Sequence, residues 1–333
     1  MRLSLLAAFI SAAFLATSAP AQTTQREDEI VANLAGGRII IQVARDDIIV
    51  FAAIDQPIES SSVPPRVLQL DATHVGIILG ATEWQVPAAP APFRLDRDFQ
   101  AIPHGPNQHY DPFPDAAAPD LETLGVAFLE KLRPLVSQLH HKLDFPPDEP
   151  LFQLIILGFA PGYGPEVWQV EYRIEQEQVA ARGEYWQTRI LRPRFTQLYP
   201  PEGGKHGPHT FIELRYPAES VTAPAKRNND PPLLALIQGG DPAIARLRSS
   251  DPRFAKDLEN IEKGQAQKVP STDAADFLRA ALPLISSGHK FFLGTMEESR
   301  GFEWLVPPDE PVEKTDDKSR PPAAPSLRRK PNP

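Results

Sequence analysis

Two histidine pairs in this chain have the spacing of metal ligands. They are His206-Gly-Pro-His209 and the pair His104 and His109, and a third pair, His140-His141, closes an apolar stretch. Neutral imidazoles at such spacing can hold zinc, usually with cysteine or carboxylate partners. The chain has no cysteine, contains no His-Glu-x-x-His, and sets the first two pairs in Gly/Pro-rich sequence. Solvated loop histidines are the favoured reading, with His206 and His209 kept as weak metal candidates. A serine triad on an α/β-hydrolase pattern needs a Gly-x-Ser-x-Gly elbow, which is missing, and Ser60-Ser61-Ser62 reads as a loop. Gly162 and Gly164 follow an apolar run but precede no Lys-Ser/Thr, so they make no phosphate loop. No cofactor-binding pattern is present.

The elements that would position any such groups are legible as hairpins. Residues 36–55, GGRIIIQVARDDIIVFAAID, carry two β-branched runs flanking Asp46-Asp47, the pattern of a tight hairpin. Both runs are apolar along most of their length, which predicts a sheet covered on both faces. A second pair follows at Arg66–Asp71 and His74–Gly80. Residues 81–119 are proline-rich and read as a surface excursion. A helix is predicted from about Pro119 to Leu143, because Leu121, Leu124, Phe128, Leu132, Leu135 and Leu139 recur at steps of three and four. Asp120 is its candidate cap, and Pro134 should bend it. Phe152–Phe159 and Val167–Tyr172 form a third hairpin around a Gly/Pro turn, and Tyr185–Leu191 adds a strand. Residues 231–287 have helical stripes, and Lys290–Met296 with Gly301–Val306 closes the fold as a last hairpin. Strands and helices in segregated runs predict an α+β layered fold. Trp84, Trp168, Trp186 and Trp304 fall at strands or strand ends and read as core packing, or as the lining of a groove at a sheet edge.

The first twenty-one residues have a different character. Met1-Arg2 is a short positive start, residues 3–17 are an apolar run, and Ala19 and Ala21 fit a cleavage site before Gln22. The run is shorter than the roughly 20 residues a membrane span needs. Residues 1–21 are therefore expected to be a cleaved signal peptide, giving a periplasmic or extracellular protein with no transmembrane anchor. Residues 22–35 form an N-terminal segment, 36–306 one domain, and 307–333 a disordered proline-rich tail. Proline, at 38 residues, is concentrated in the excursion and that tail. Loss of Arg2 with the signal moves the formal net charge from -9 to -10. A chain this acidic does not look like a binder of nucleic acid or of an anionic membrane, since either needs a basic face.

In the order of its hairpins the chain resembles the proteasome-like branch of the N-terminal-nucleophile hydrolases. Asp47–Asp55 looks like the family's second strand with its Ala-Ala-Asp-type end. Arg66–Leu70 with His74–Gly80 is similar to its next hairpin. Leu154–Phe159 through Trp168 resembles the central hairpin, and Lys290–Leu305 the last. The family usually has two long helices between the second and third hairpins, and here the first would fall in the proline-rich excursion. The resemblance implies a four-layer αββα sandwich with two mainly antiparallel sheets between helical layers. It also implies self-association, since such folds stack into rings.

Active members attack with a Thr, Ser or Cys that begins the first strand, using its own α-amine as base, a group whose proton affinity lies near neutrality. A lysine tunes the nucleophile and an aspartate orients the lysine. Asp55 matches that aspartate. Counting back from it, the nucleophile's place falls at Arg38 or Ile39, behind Gly36-Gly37, and neither residue can attack a carbonyl. Arg66 stands where the lysine is expected, and its guanidinium does not surrender a proton. Thr23 becomes an N-terminal nucleophile only if the signal is cut after Gln22, about fifteen residues before the strand. The expectation is an exported non-catalytic protein that binds a protein or peptide partner. A threonine peptidase or amidohydrolase using Thr23, and an envelope interaction protein of unrelated α+β fold, are the alternatives.

Overall fold

The computed structural model describes residues 30–56, 63–70, 73–87, 89–98, 121–140, 149–160, 163–179, 185–201, 210–217, 232–263 and 269–308. The chain begins with three strands, β1 (Val31–Ala35), β2 (Gly37–Arg45) and β3 (Ile48–Asp55). After them come β4 (Arg66–Gln69), β5 (His74–Gln85), β6 (Phe93–Arg94), α1 (Leu95–Asp98) and α2 (Leu121–Val136). The middle of the chain gives β7 (Phe152–Ala160), β8 (Gly164–Tyr172), β9 (Ile174–Gln178), β10 (Trp186–Ile190), β11 (Arg194–Tyr199) and β12 (Phe211–Tyr216). Helices α3 (Leu233–Gln238), α4 (Pro242–Ser250), α5 (Pro252–Lys263), α6 (Ser271–Ala281) and α7 (Pro283–Ser286) precede the closing strands β13 (Phe291–Glu297) and β14 (Gly301–Val306). The fold is α+β with mostly antiparallel sheets, and the chain divides into two compact units.

The first unit comprises Met1–Gly37, Pro57–Pro200 and Arg215–Arg227. Its main sheet runs β1-β5-β7-β8-β11, with β4 and β6 also paired to β5. β7 reads FQLIILGFA and is buried along its whole length, as a central strand with both faces covered must be. Residues Phe152, Leu154 and Ile156 pack with Val170 and Tyr172 of β8 against Leu124, Phe128, Leu132 and Leu135 of α2. The helix therefore buries the stripe its sequence shows, and Tyr172 Oη donates to the Gly125 carbonyl at 3.0 Å to fix it on the sheet. α2 stops at Val136, two residues after Pro134, which cannot donate a helical hydrogen bond.

Two expectations change here. The excursion starts later than residue 81, because β5 continues to Gln85 and buries Ala81 and Trp84. Gly80 makes this possible: at φ +84° it turns the strand from its β4 partner to its β1 partner, and a Cβ there would run into the Leu151 carbonyl oxygen. The strand expected at Tyr185–Leu191 forms as β10 but pairs with β9 in a separate two-stranded sheet, leaving β11 to extend the main sheet beside β8. β1, β9, β11 and β12 are not expected from sequence.

The second unit comprises Arg38–Gln56, Pro201–Leu214 and Asn228–Pro333. Its sheet runs β12-β2-β3-β13-β14. β2 and β3 meet at the Asp46-Asp47 turn as expected. Ile40 and Ala44 of β2 and Val50, Ala52 and Ile54 of β3 face a helical layer built from α3 to α7, whose contribution includes Ile237, Leu258, Phe277, Leu278 and Ile285. Alternation in β2 thus puts Arg38, Ile40, Gln42 and Ala44 on the helix side, and Ile39, Ile41 and Val43 on the other. α4 opens with Pro242 behind an Asp241 cap, whose Oδ1 accepts the Ala243 N–H at 2.7 Å. Replacing that cap, Asp241→Ala, is expected to cost about 1 kcal/mol in denaturant unfolding.

Candidate functional site

The place of the expected nucleophile is occupied by two buried side chains. Arg38 and Ile39, second and third residues of β2, are both fully out of solvent. Arg38 projects to the helix side, where Nη1 lies 3.4 Å from Glu213 Oε1 of β12. The other oxygen, Glu213 Oε2, accepts the Leu233 N–H at 2.8 Å. Leu233 begins α3, and the preceding Pro232 provides no side-chain cap, so a carboxylate from a neighbouring strand satisfies that helix start. Burial pushes the Glu213 carboxyl up to about 7, against the N–H groups of Leu233 and Leu234. The guanidinium beside it pulls in the same direction as those N–H groups. We take the pair as ionised, because a cation wholly out of water requires its counter-charge.

A single residue, Gly36, separates β1 from β2, so the nitrogen of Arg38 is a peptide nitrogen within a strand and not a free amine. Neither Arg38 nor Ile39 supplies the attacking atom, and the Arg38 nitrogen is not the free base, that the resemblance calls for.

Asp55 ends β3, and its N–H donates to the Lys290 carbonyl at 2.9 Å, joining β3 to the start of β13. Arg66 opens β4 in the other unit. Its Nη2 lies 3.4 Å from Glu83 Oε2 on β5, and Glu83 Oε1 accepts from Asn33 Nδ2 of β1 at 3.0 Å. Each of these two candidates is thereby engaged within its own unit. Thr23, Ser60-Ser61-Ser62, His104, His109, His141, His206 and His209 lie outside the described residues. His140 stacks on Tyr185 with ring centroids 4.6 Å apart. Among the described residues no cluster of three or more His, Asp or Glu side chains is placed to hold a metal ion. Trp84 is a core residue whose indole donates to the Ala81 carbonyl, and Trp304 packs edge-on against Phe51, Phe292 and Phe302.

The polar constellation that sequence reading missed lies at one end of the first unit's main sheet. His74 on β5, Gly158 on β7 and Glu166 on β8 stand in one cross-strand row. Because Gly158 has no side chain, His74 and Glu166 reach over it, and His74 Nε2 meets Glu166 Oε1 at 2.9 Å. The other carboxylate oxygen accepts the Trp168 indole N–H at 3.0 Å. His74 Nδ1 lies 3.1 Å from Thr73 Oγ1. In the neutral ring, the Thr73 hydroxyl donates to Nδ1 and Nε2–H donates to the carboxylate, which is the bonding order of a hydroxyl–imidazole–carboxylate relay. Both the ring and the carboxylate are buried, however, at 1% and 2% exposure. The bond between them is closed off from solvent and works as a tie from β5 to β8 across β7. Glu166, a carboxylate just after the Gly/Pro turn and ahead of Val167 and Trp168, was the one signal of it. Its partner depended on a register that spans three strands.

Among the described residues no helix is long and apolar enough to cross a membrane. No protein-family model and no curated protein gives a match to this chain.

Proposed function

We propose that this chain is an exported, non-catalytic binding or assembly protein on a proteasome-like scaffold. The observation that carries the proposal is Arg38: where the attacking residue belongs, a buried cation is bound to Glu213 and through it to the start of α3. The grouping of hairpins supports the scaffold. The first hairpin shares a sheet with the last through the β3–β13 ladder, while the two middle hairpins are joined in the other sheet through β5–β7. The four-layer arrangement and ring-like self-association follow from the resemblance and belong to this proposal. The amino-terminal pattern of residues 1–21 supports export to the periplasm or beyond, and the acidic net charge of -9 favours a protein or peptide partner over nucleic acid.

The test is a direct assay of the mature protein beginning at Gln22 on peptide and simple amide substrates. No turnover is expected. Hydrolysis that disappears in Thr23→Ala would replace this reading with that of a threonine hydrolase.

A further inference from the structure

The helical layer of the second unit meets its sheet largely through hydrocarbon, with a polar exception beneath α5. Gln42 stands between Ile40 and Ala44 on the helix-facing side of β2. α5 presents Asp257 and Asn260 on the face that also carries Phe254, Leu258 and Ile261. These two residues are three apart and therefore neighbours on that face. Gln42, Asp257 and Asn260 are all buried, and Gln42 Nε2 donates to Asp257 Oδ1 at 2.7 Å.

That bond uses one polar atom from each of two residues. Gln42 Oε1, Asp257 Oδ2 and Asn260 Nδ2 remain out of solvent with no hydrogen-bond partner in the described chain. Buried polar atoms without partners are rare in folded proteins, and three of them on residues linked by the Gln42–Asp257 bond and by one turn of α5 point to a bound group that completes them. The set consists of two acceptors and one donor. A water molecule has two O–H donors and lone pairs to accept with, so its capacity matches. A cation would suit the two oxygens but would face the Asn260 N–H.

We propose that Gln42, Asp257 and Asn260 enclose one internal water molecule that donates to Gln42 Oε1 and Asp257 Oδ2 and accepts from Asn260 Nδ2, pinning α5 to β2. The site accommodates either protonation state of the carboxyl, since a protonated Oδ2 donates to the same water. Burial pushes the Asp257 carboxyl up to about 7; the Gln42 N–H opposes this, and the charge of Asp273 on α6 adds to it. Asp273 is itself paired with Arg253 of α5. A carboxyl raised in the folded state gives stability that is whole below its unfolded value near pH 4 and is lost as pH rises through about 7.

Water-nucleus magnetic relaxation dispersion on the mature protein counts long-lived internal waters. Asn260→Leu is expected to lose one of them, while Asn260→Ser, which keeps a polar group, retains it. A count unchanged by Asn260→Leu overturns the proposal, and so does a count that changes when sodium replaces potassium, which would identify a cation. Should Asn260→Leu fail to fold, a high-resolution crystal structure of the unaltered protein decides the matter. A solvent peak bonded to all three atoms supports the proposal, and three side chains bonded directly to one another refute it. In Asp257→Asn the fall of the thermal midpoint between about pH 4 and 7 should flatten, with the water still present.

Discussion

Gly158→Ala is expected to lower stability by about 3 kcal/mol, far more than one added carbon costs at an open site. The new Cβ would overlap the Thr73 carbonyl oxygen and His74 Cδ2, and would stand 2.8 Å from His74 Cγ. None of these atoms has an easy retreat. The Thr73 oxygen accepts the Phe159 N–H at 3.2 Å, and the ring is held by Glu166. For a domain of this size the loss corresponds to a fall in melting temperature of roughly 10 °C, read by calorimetry or circular dichroism. His74→Ala removes one of the two obstacles, so the double variant should lose less than the sum of the single ones. Strict additivity would mean that the two residues do not share this space.

Substitutions at Glu166 should separate shape from hydrogen bonding. Glu166→Leu takes the acceptor away from His74 Nε2 and Trp168 Nε1 together, and a cost on the order of 3 kcal/mol is expected in denaturant unfolding. Glu166→Gln keeps one oxygen, which can serve Trp168. His74 can then move its proton to Nδ1 and accept from the new amide through Nε2, with the Thr73 hydroxyl as acceptor. The loss should therefore be a fraction of that in the leucine variant, about 1 kcal/mol. A change in the His74 ring-nitrogen signals by NMR is the accompanying mark. If the two variants unfold at the same denaturant concentration, the row contributes packing and not hydrogen bonds.

What could be read from the sequence, and what could not, follows from where each strand sits. β2 and β3 were plain because Ile39–Val43, interrupted only by Gln42, and Ile48–Ile54 are apolar runs either side of two aspartates, and the resulting hairpin is buried on both faces. α2 was plain because its stripe has one period and one sheet to cover. β9 and β11, reading IEQEQ and RFTQLY, carry no such signal. They lie where much of the strand surface stays wet, and the backbone ladder holds them where side-chain burial does not. Arg38 was legible as a residue unable to attack. Its partner Glu213 was not, because a strand formed far along the chain delivers it, and neither was the bond from His74 to Glu166, which needs both the β5–β7 register and the β7–β8 register. Asp55 and Arg66 were placed correctly on their strands, while the partners that hold them, Lys290 and Glu83, come from pairings that local pattern does not encode.

The bond between Arg38 and Glu213 also limits what evolution or engineering can do with this scaffold. Writing a threonine into position 38 would strip a cation from an interior carboxylate that anchors the first turn of α3, and the new hydroxyl would emerge among the helices on the far side of the strand from Ile39. A working nucleophile would further require the chain to be cut next to it, freeing an amine that β1 now holds in continuous polypeptide. On the proposed reading, a nucleophile at position 38 would therefore need several coordinated changes, among them the loss of this ion pair and a new chain end beside the strand.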